Sequence, residues 1–133
     1  MQPRGSIRRE VRIARPPADV WAIVGDATSL PTWWPGITEC AVDGTTRVIT
    51  TGSGLPMPEQ ILTVDGCQRR FQYRITAPII NEHTSTVDVI DLEDGTSLVV
   101  YSVDADPSTM ALIIGGAAGA ALANLRRMME GGS

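Results

Sequence analysis

The chain has 133 residues, 43% of them hydrophobic and 20% charged, with eleven basic and fifteen acidic side chains for a net charge of −4. That length suits one domain, taken as 1–133, and the composition excludes long disorder. The acidic balance argues against nucleic acid as a partner, because such binding rests on many phosphate-neutralising cations.

Ile7, Arg9, Val11 and Ile13 alternate with Arg8, Glu10 and Arg12, a period of two that predicts a strand with one mostly apolar face. Arg15-Pro16-Pro17 breaks it. Pro17 suits a first helical turn, where its missing N–H would have no partner anyway. Residues 18–24 then group Val20, Ile23 and Val24 on one side beside Trp21, which predicts a short amphipathic helix ended by Gly25-Asp26. A second short helix or turn is expected over 29–34, since Pro31 lies inside the segment and Pro35-Gly36 follows it.

From 37 to 104 the pattern is strands joined by turns, near 37–43, 46–52, 58–65, 69–76, 83–91 and 96–105. Asp43-Gly44, Asp65-Gly66 and Asp94-Gly95 are turn dipeptides that tolerate positive φ and mark antiparallel hairpins. Ser108 then reads as an N-cap for one long helix reaching Glu130. Between Met110 and Leu125 this helix carries no charge over 16 residues, short of the roughly 20 that a bilayer requires, so no membrane span is expected. Arg126 and Arg127 suit the negative end of the helix dipole, and Gly131-Gly132-Ser133 reads as a terminator. Gly115, Gly116 and Gly119 weaken this helix by up to ~1 kcal/mol each. The compensation expected first is space, with a small-residue face widening a cavity. Close approach of a second backbone, as in a homodimer, is the other; the chain is otherwise read as a monomer.

Cys40 and Cys67 stand alone, without the paired ligands of a structural zinc site, so no metal is expected. A disulfide between them stays open. With no secretory signal visible, a reduced chain in the cytoplasm is the simpler reading. A Gly-rich phosphate loop, a GxSxG elbow, an HExxH pair and an acidic calcium loop are all missing from the sequence, which excludes nucleotide hydrolysis, serine hydrolase chemistry and metalloprotease activity.

The words Ile13-Ala14-Arg15-Pro16-Pro17-Ala18-Asp19-Val20-Trp21 and Leu30-Pro31-Thr32-Trp33-Trp34-Pro35-Gly36-Ile37, with Glu59, Tyr73-Arg74-Ile75 and Asp94-Gly95-Thr96 further on, resemble the START/Bet v 1-like (SRPBCC) superfamily. The likeness covers nearly the whole chain and is greatest to the bacterial polyketide cyclase/dehydrase and lipid-transport branch. It implies an α+β helix-grip fold: a curved seven-stranded antiparallel sheet wrapped around the C-terminal helix, with an apolar cavity between them. The residue pattern agrees, because a single sheet can bury one long uncharged helix only by curling around it.

Against that expectation several side chains stand out. His83 is the one group that titrates near neutrality unperturbed; it is in phase with Ser85, Val87 and Val89, on the apolar and cavity-facing side. Relatives often carry an aromatic there. It is either a general acid/base or a hydrogen-bonded wall residue. Glu59, where the family often has an acid, is either a base or ligand-holding group at the cavity mouth or a surface carboxylate paired with Arg69, Arg70 or Arg74. Arg74 is expected in solvent. Trp33 and Trp34 occupy the turn that the fold places over one end of the cavity, where an aromatic could stack on a ligand; at least one should touch the cavity, the alternative being one in the core and the other anchoring the loop. Tyr73 and Tyr101 lie on apolar strand faces, one for the pocket and one for the core, and Ser85 shares the inward face.

Two functions follow from these expectations. The first is a binding module for a hydrophobic or aromatic small molecule such as a lipid, polyketide or isoprenoid. The second is a cofactor-free cyclase, aromatase or dehydratase with His83 and Glu59 as acid and base, in which the cavity folds a reactive chain into a near-attack geometry.

Overall fold

Seven strands and three helices follow the expected order: β1 (Gly5–Ile13), α1 (Pro17–Val24), α2 (Leu30–Trp33), β2 (Ile37–Asp43), β3 (Thr46–Thr51), β4 (Pro56–Asp65), β5 (Arg70–Ile75), β6 (Glu82–Asp91), β7 (Ser97–Asp106) and α3 (Ser108–Gly131). This computed structural model describes residues 3–131. Met1 and Gln2 lie outside the described residues, as do Gly132 and Ser133 of the expected terminator.

The strands form one antiparallel sheet in the order β1-β7-β6-β5-β4-β3-β2. Its centre shows the period-two rule without a break. Val87 and Val89 on β6, and Val99, Tyr101, Val103 and Ala105 on β7, are buried on one face while their neighbours are not. The chain closes its long loop where β1 pairs along its whole length with β7, Gly5 opposite Ala105 and Ile13 opposite Ser97. Helices α1 and α2 carry it from that edge to β2 at the opposite edge. Register shifts at Ile37/Glu39 and at Ile61/Thr63 are bulges of the kind that bend a strand. The sheet thus closes over α3, completing the α+β helix-grip arrangement.

One turn and one helix cap differ from expectation. Gly44 and Gly95 take positive φ as their hairpins demand, but Gly66 does not; Arg69 takes it instead, at 57°. The reason is local: the Asp65 carboxylate accepts the N–H groups of Cys67 and Gln68 and so holds a longer turn. Ser108 is the first residue of α3 rather than its cap.

Helix α3 has 24 residues and is long and apolar enough to cross a membrane by composition alone. Here it is the core helix. Ala111, Ile114, Ala118, Leu122 and Leu125 form its buried stripe against β1 and β7. Its glycines do something other than widen the cavity. A Cβ on Gly115 would lie 2.6 Å from Cγ2 of Ile7, so the missing side chain lets β1 approach the helix backbone within the same chain. At Gly116 a Cβ would meet nothing within 4 Å. Gly116→Ala is therefore expected to stabilise by about 0.5–1 kcal/mol, the helix-propensity gain alone. Gly115→Ala sets the same gain against overpacking of roughly 1–3 kcal/mol and should be neutral to destabilising. Urea unfolding of the two variants checks the contrast, and equal gains would refute the close-approach reading.

Candidate functional site

Between the concave face of the sheet and α3 lies a cavity of about 510 Å³, within the range of small-molecule sites. Ile49, Met57 and Ile75 form its sheet wall, Ile113, Ile114 and Ala117 its helix wall, and Trp34 its cover. The mouth lies where α2 runs into β2 and β3 turns into β4, at Pro35, Gly36, Gly52 and Ser53. Segments 27–38, 48–58, 75–81 and 107–125, which meet at this end of the sheet, contain no charged residue. Leu55, Ile79, Leu112 and Ile113 belong to them and are more than half exposed. The residues lining this mouth carry no charge, while Glu82 and Asp106, at the same end of the sheet on β6 and β7, lie outside the lining.

The inner end is different. Glu59 reaches the cavity wall from β4 and is only 3% exposed. Its partner is Arg47, directly opposite on β3 and equally buried, whose Nε donates to Glu59 Oε1 at 2.7 Å. The surface pairing with Arg69, Arg70 or Arg74 does not occur: Arg70 binds Asp88, and Arg74 is exposed as expected. Arg47 is held at several points. Its Nη1 donates to the Ala27 carbonyl at 3.1 Å, and its guanidinium lies 5.0 Å from the Phe71 ring centre and 4.8 Å from that of Tyr73. Burial pushes the Glu59 carboxyl above the usual range, and the Arg47 charge and hydrogen bond offset this only in part.

Behind this pair runs a line of hydrogen-bonded groups. The Tyr73 and Tyr101 hydroxyls bond to each other. Burial first, and the Glu59 charge second, push Tyr73 up to about 12, while the nearby Tyr101 and Ser85 hydroxyls restrain the rise. Tyr101 is likewise pushed well above its ordinary value, again chiefly by burial. Ser85 Oγ lies 2.8 Å from His83 Nε2, and His83 Nδ1 accepts the Ile75 N–H at 2.8 Å. That second bond sets the tautomer: Nε2 carries the proton and donates to Ser85. Burial draws His83 down to about 4, opposed by the charge of Asp104. His83 is therefore neutral at physiological pH.

The two tryptophans divide their work. Trp33, 2% exposed, packs in the core and donates from Nε1 to Ser29 Oγ at 3.0 Å. Trp34 covers the cavity, edge-on to Trp33 and to Tyr101 with ring centres 5.8 and 5.5 Å apart. α3 is tied to this corner by Asn124 Nδ2, which donates to the Trp33 carbonyl at 2.8 Å.

Of the residues singled out from the sequence, the cavity wall thus holds Glu59, Tyr73 and Trp34. Tyr101, Ser85 and His83 stand in the layer behind it, and Trp33 lies in the core. Arg47 was missed. The signal was there in principle, since Arg47 is in phase with Ile49 and Thr51 on β3; an arginine on an inward register implies a buried acid opposite. Cys40 and Cys67 are both free thiols, so no disulfide joins them. Among the described residues no group of three or more His, Cys, Asp or Glu side chains is placed to hold a metal ion.

Residues 4–130 match the family described as polyketide cyclase/dehydrase and lipid transport. The chain belongs to this family. Solved structures agree on the fold. XoxI from Bacillus cereus superposes with a TM-score of 0.87 at 23% identity, over 95% of this chain and 96% of that one. Norcoclaurine synthase from Thalictrum flavum, solved with dopamine and hydroxybenzaldehyde, gives 0.76 at 16% identity over 98% and 88%. The di-domain ARO/CYC protein BexL gives 0.78 at 18% identity, covering 98% of this chain and 47% of that longer one. No curated protein matches the sequence. Family and fold together fit a polyketide cyclase/dehydrase or a ligand-binding protein.

Proposed function

We propose that the protein holds a hydrophobic or aromatic small molecule in the cavity between the sheet and α3. The observation that carries this reading is the cavity: about 510 Å³, walled by aliphatic side chains, covered by Trp34 and opening at a mouth lined by uncharged residues. Burying apolar ligand surface there yields about 25 cal/mol per Å² before ordering costs. The family and the aromatic ligands of norcoclaurine synthase support the same reading.

Native mass spectrometry of freshly purified protein, followed by organic extraction, tests it. The expected result is an apolar or aromatic compound near one-to-one stoichiometry. Ile49→Trp, which fills the cavity from β3, should abolish that occupancy while changing stability by no more than roughly 1–3 kcal/mol. Full occupancy in the filled variant would sink the proposal.

One observation favours a second reading, a cofactor-free cyclase or dehydratase. Glu59 is a carboxyl of raised pKa on the wall of the cavity, as proton transfer requires. His83, the other half of the expected acid/base pair, does not line the cavity; it stands behind Tyr73 and Ile75, and both its ring nitrogens are occupied. Comparing the compounds extracted from the natural protein and from Glu59→Gln decides between the two: a compound that in the natural protein has lost one water or rearranged its skeleton means turnover, and the same compound in both means binding.

A further inference from the structure

We infer that the inner end of the cavity selects ligands whose polar group donates a hydrogen bond, a hydroxyl or an ammonium on an apolar body, and rejects carboxylates and phosphates. This rests on the ligand-binding reading above and names the class of ligand. Among the residues lining the cavity, Glu59 alone bears a charge. Its Oε1 is taken by Arg47, whereas Oε2 receives no hydrogen bond. Among the described residues no fully buried side-chain polar atom lacks a partner, so Oε2 is the oxygen open to the cavity, an acceptor awaiting a donor.

An anion finds no counterpart. Arg47 does not line the cavity; its Nε is taken by Glu59 and its Nη1 by the Ala27 carbonyl, and Phe71 and Tyr73 flank it. At the mouth the Thr51 and Ser53 hydroxyls bond each other at 2.7 Å. A carboxylate entering this space would lose its hydration and face a second carboxylate oxygen across a medium of low dielectric. A hydroxyl or ammonium would gain a charge-assisted hydrogen bond in the same place.

Four probes of equal chain length test the inference by calorimetry near neutral pH: 1-decanol, decylammonium, decanoate and methyl decanoate. Decanol and decylammonium should bind at least about tenfold more tightly than decanoate, the ratio of a single charge-assisted hydrogen bond. Methyl decanoate, an acceptor only, should bind more weakly than decanol. Arg47→Met/Glu59→Leu, which removes both charges together, should bring the alcohol, the ammonium and the acid within about threefold of one another. Should this variant not fold, the comparison on the natural protein decides alone. Decanoate binding as tightly as decanol overturns the inference and leaves the cavity as a binding site. Binding of none of the four, with Ile49→Trp giving the same traces, overturns the binding reading as well.

Discussion

Arg47→Leu is expected to destabilise the protein by about 3–5 kcal/mol at neutral pH, the penalty for leaving one member of a buried ion pair without its partner. Arg47 and Glu59 are both at least 97% buried by residue area, at 2% and 3% exposure, so water cannot replace the lost bond. The leucine keeps some contact with Phe71 and Tyr73 but forfeits the cation–π attraction and the 2.7 Å bond to Glu59. The penalty should shrink on acidification. With Arg47 gone, both influences that hold the Glu59 carboxyl down are gone too, and its neutral form, preferred in the fold, becomes available. The second arm is the paired replacement Arg47→Met/Glu59→Leu, which should regain most of the loss because it buries no charge. Urea unfolding of the three proteins checks both arms. A single variant as stable as the natural chain would mean that the pair is solvated and not buried.

His83 governs a second large effect, in the pH dependence of stability. Its pKa falls from an ordinary value of 6.5 to about 4, so the unfolded chain binds a proton on it across that window while the folded chain does not. Its contribution is complete above pH 6.5 and is lost as pH falls towards 4. The geometry gives the same direction: a proton added at Nδ1 would face the Ile75 N–H, which Nδ1 now accepts at 2.8 Å. A shift of this size is worth on the order of 2–3 kcal/mol, after allowing for the solvent that reaches the outer pocket beside His83. Glu59 acts in the opposite sense. Its raised pKa means a contribution present at low pH and lost as pH rises through the folded value. The two therefore partly cancel in the natural protein, and His83→Gln separates them. The stability difference between the natural chain and this variant should narrow by roughly 2–3 kcal/mol from pH 7 to pH 4. A difference that stays constant with pH would show that His83 titrates alike in both states.

The two predictions concern residues that the sequence revealed unequally. His83 was visible as a lone imidazole in phase with Ser85, Val87 and Val89, and the structure puts all four on the buried face of β6. Its Ile75 partner was not visible, because that bond crosses from β6 to β5 and depends on their register. Glu59 was legible only as either a cavity carboxylate or a surface one, because its pairing depends on the β3–β4 register, which sets Arg47 opposite it across the loose turn at 52–55. Trp33 and Trp34 are adjacent in sequence and could not be told apart. The end of α2 turns one into the core and the other over the cavity.

By itself, then, the sequence determined the strands and helices, their order and the helix-grip arrangement. Alternation, turn dipeptides and a charge-free helix act over a few residues, and one apolar helix with one sheet has few ways to bury both. Only the tertiary structure decided what meets what. Ile7 fills the hollow at Gly115, Arg47 meets Glu59, and Tyr73 meets Tyr101 across 28 residues of chain. Such contacts follow from strand register and sheet curvature, which are set by the packing of the whole core and leave no mark on the local pattern of any one segment.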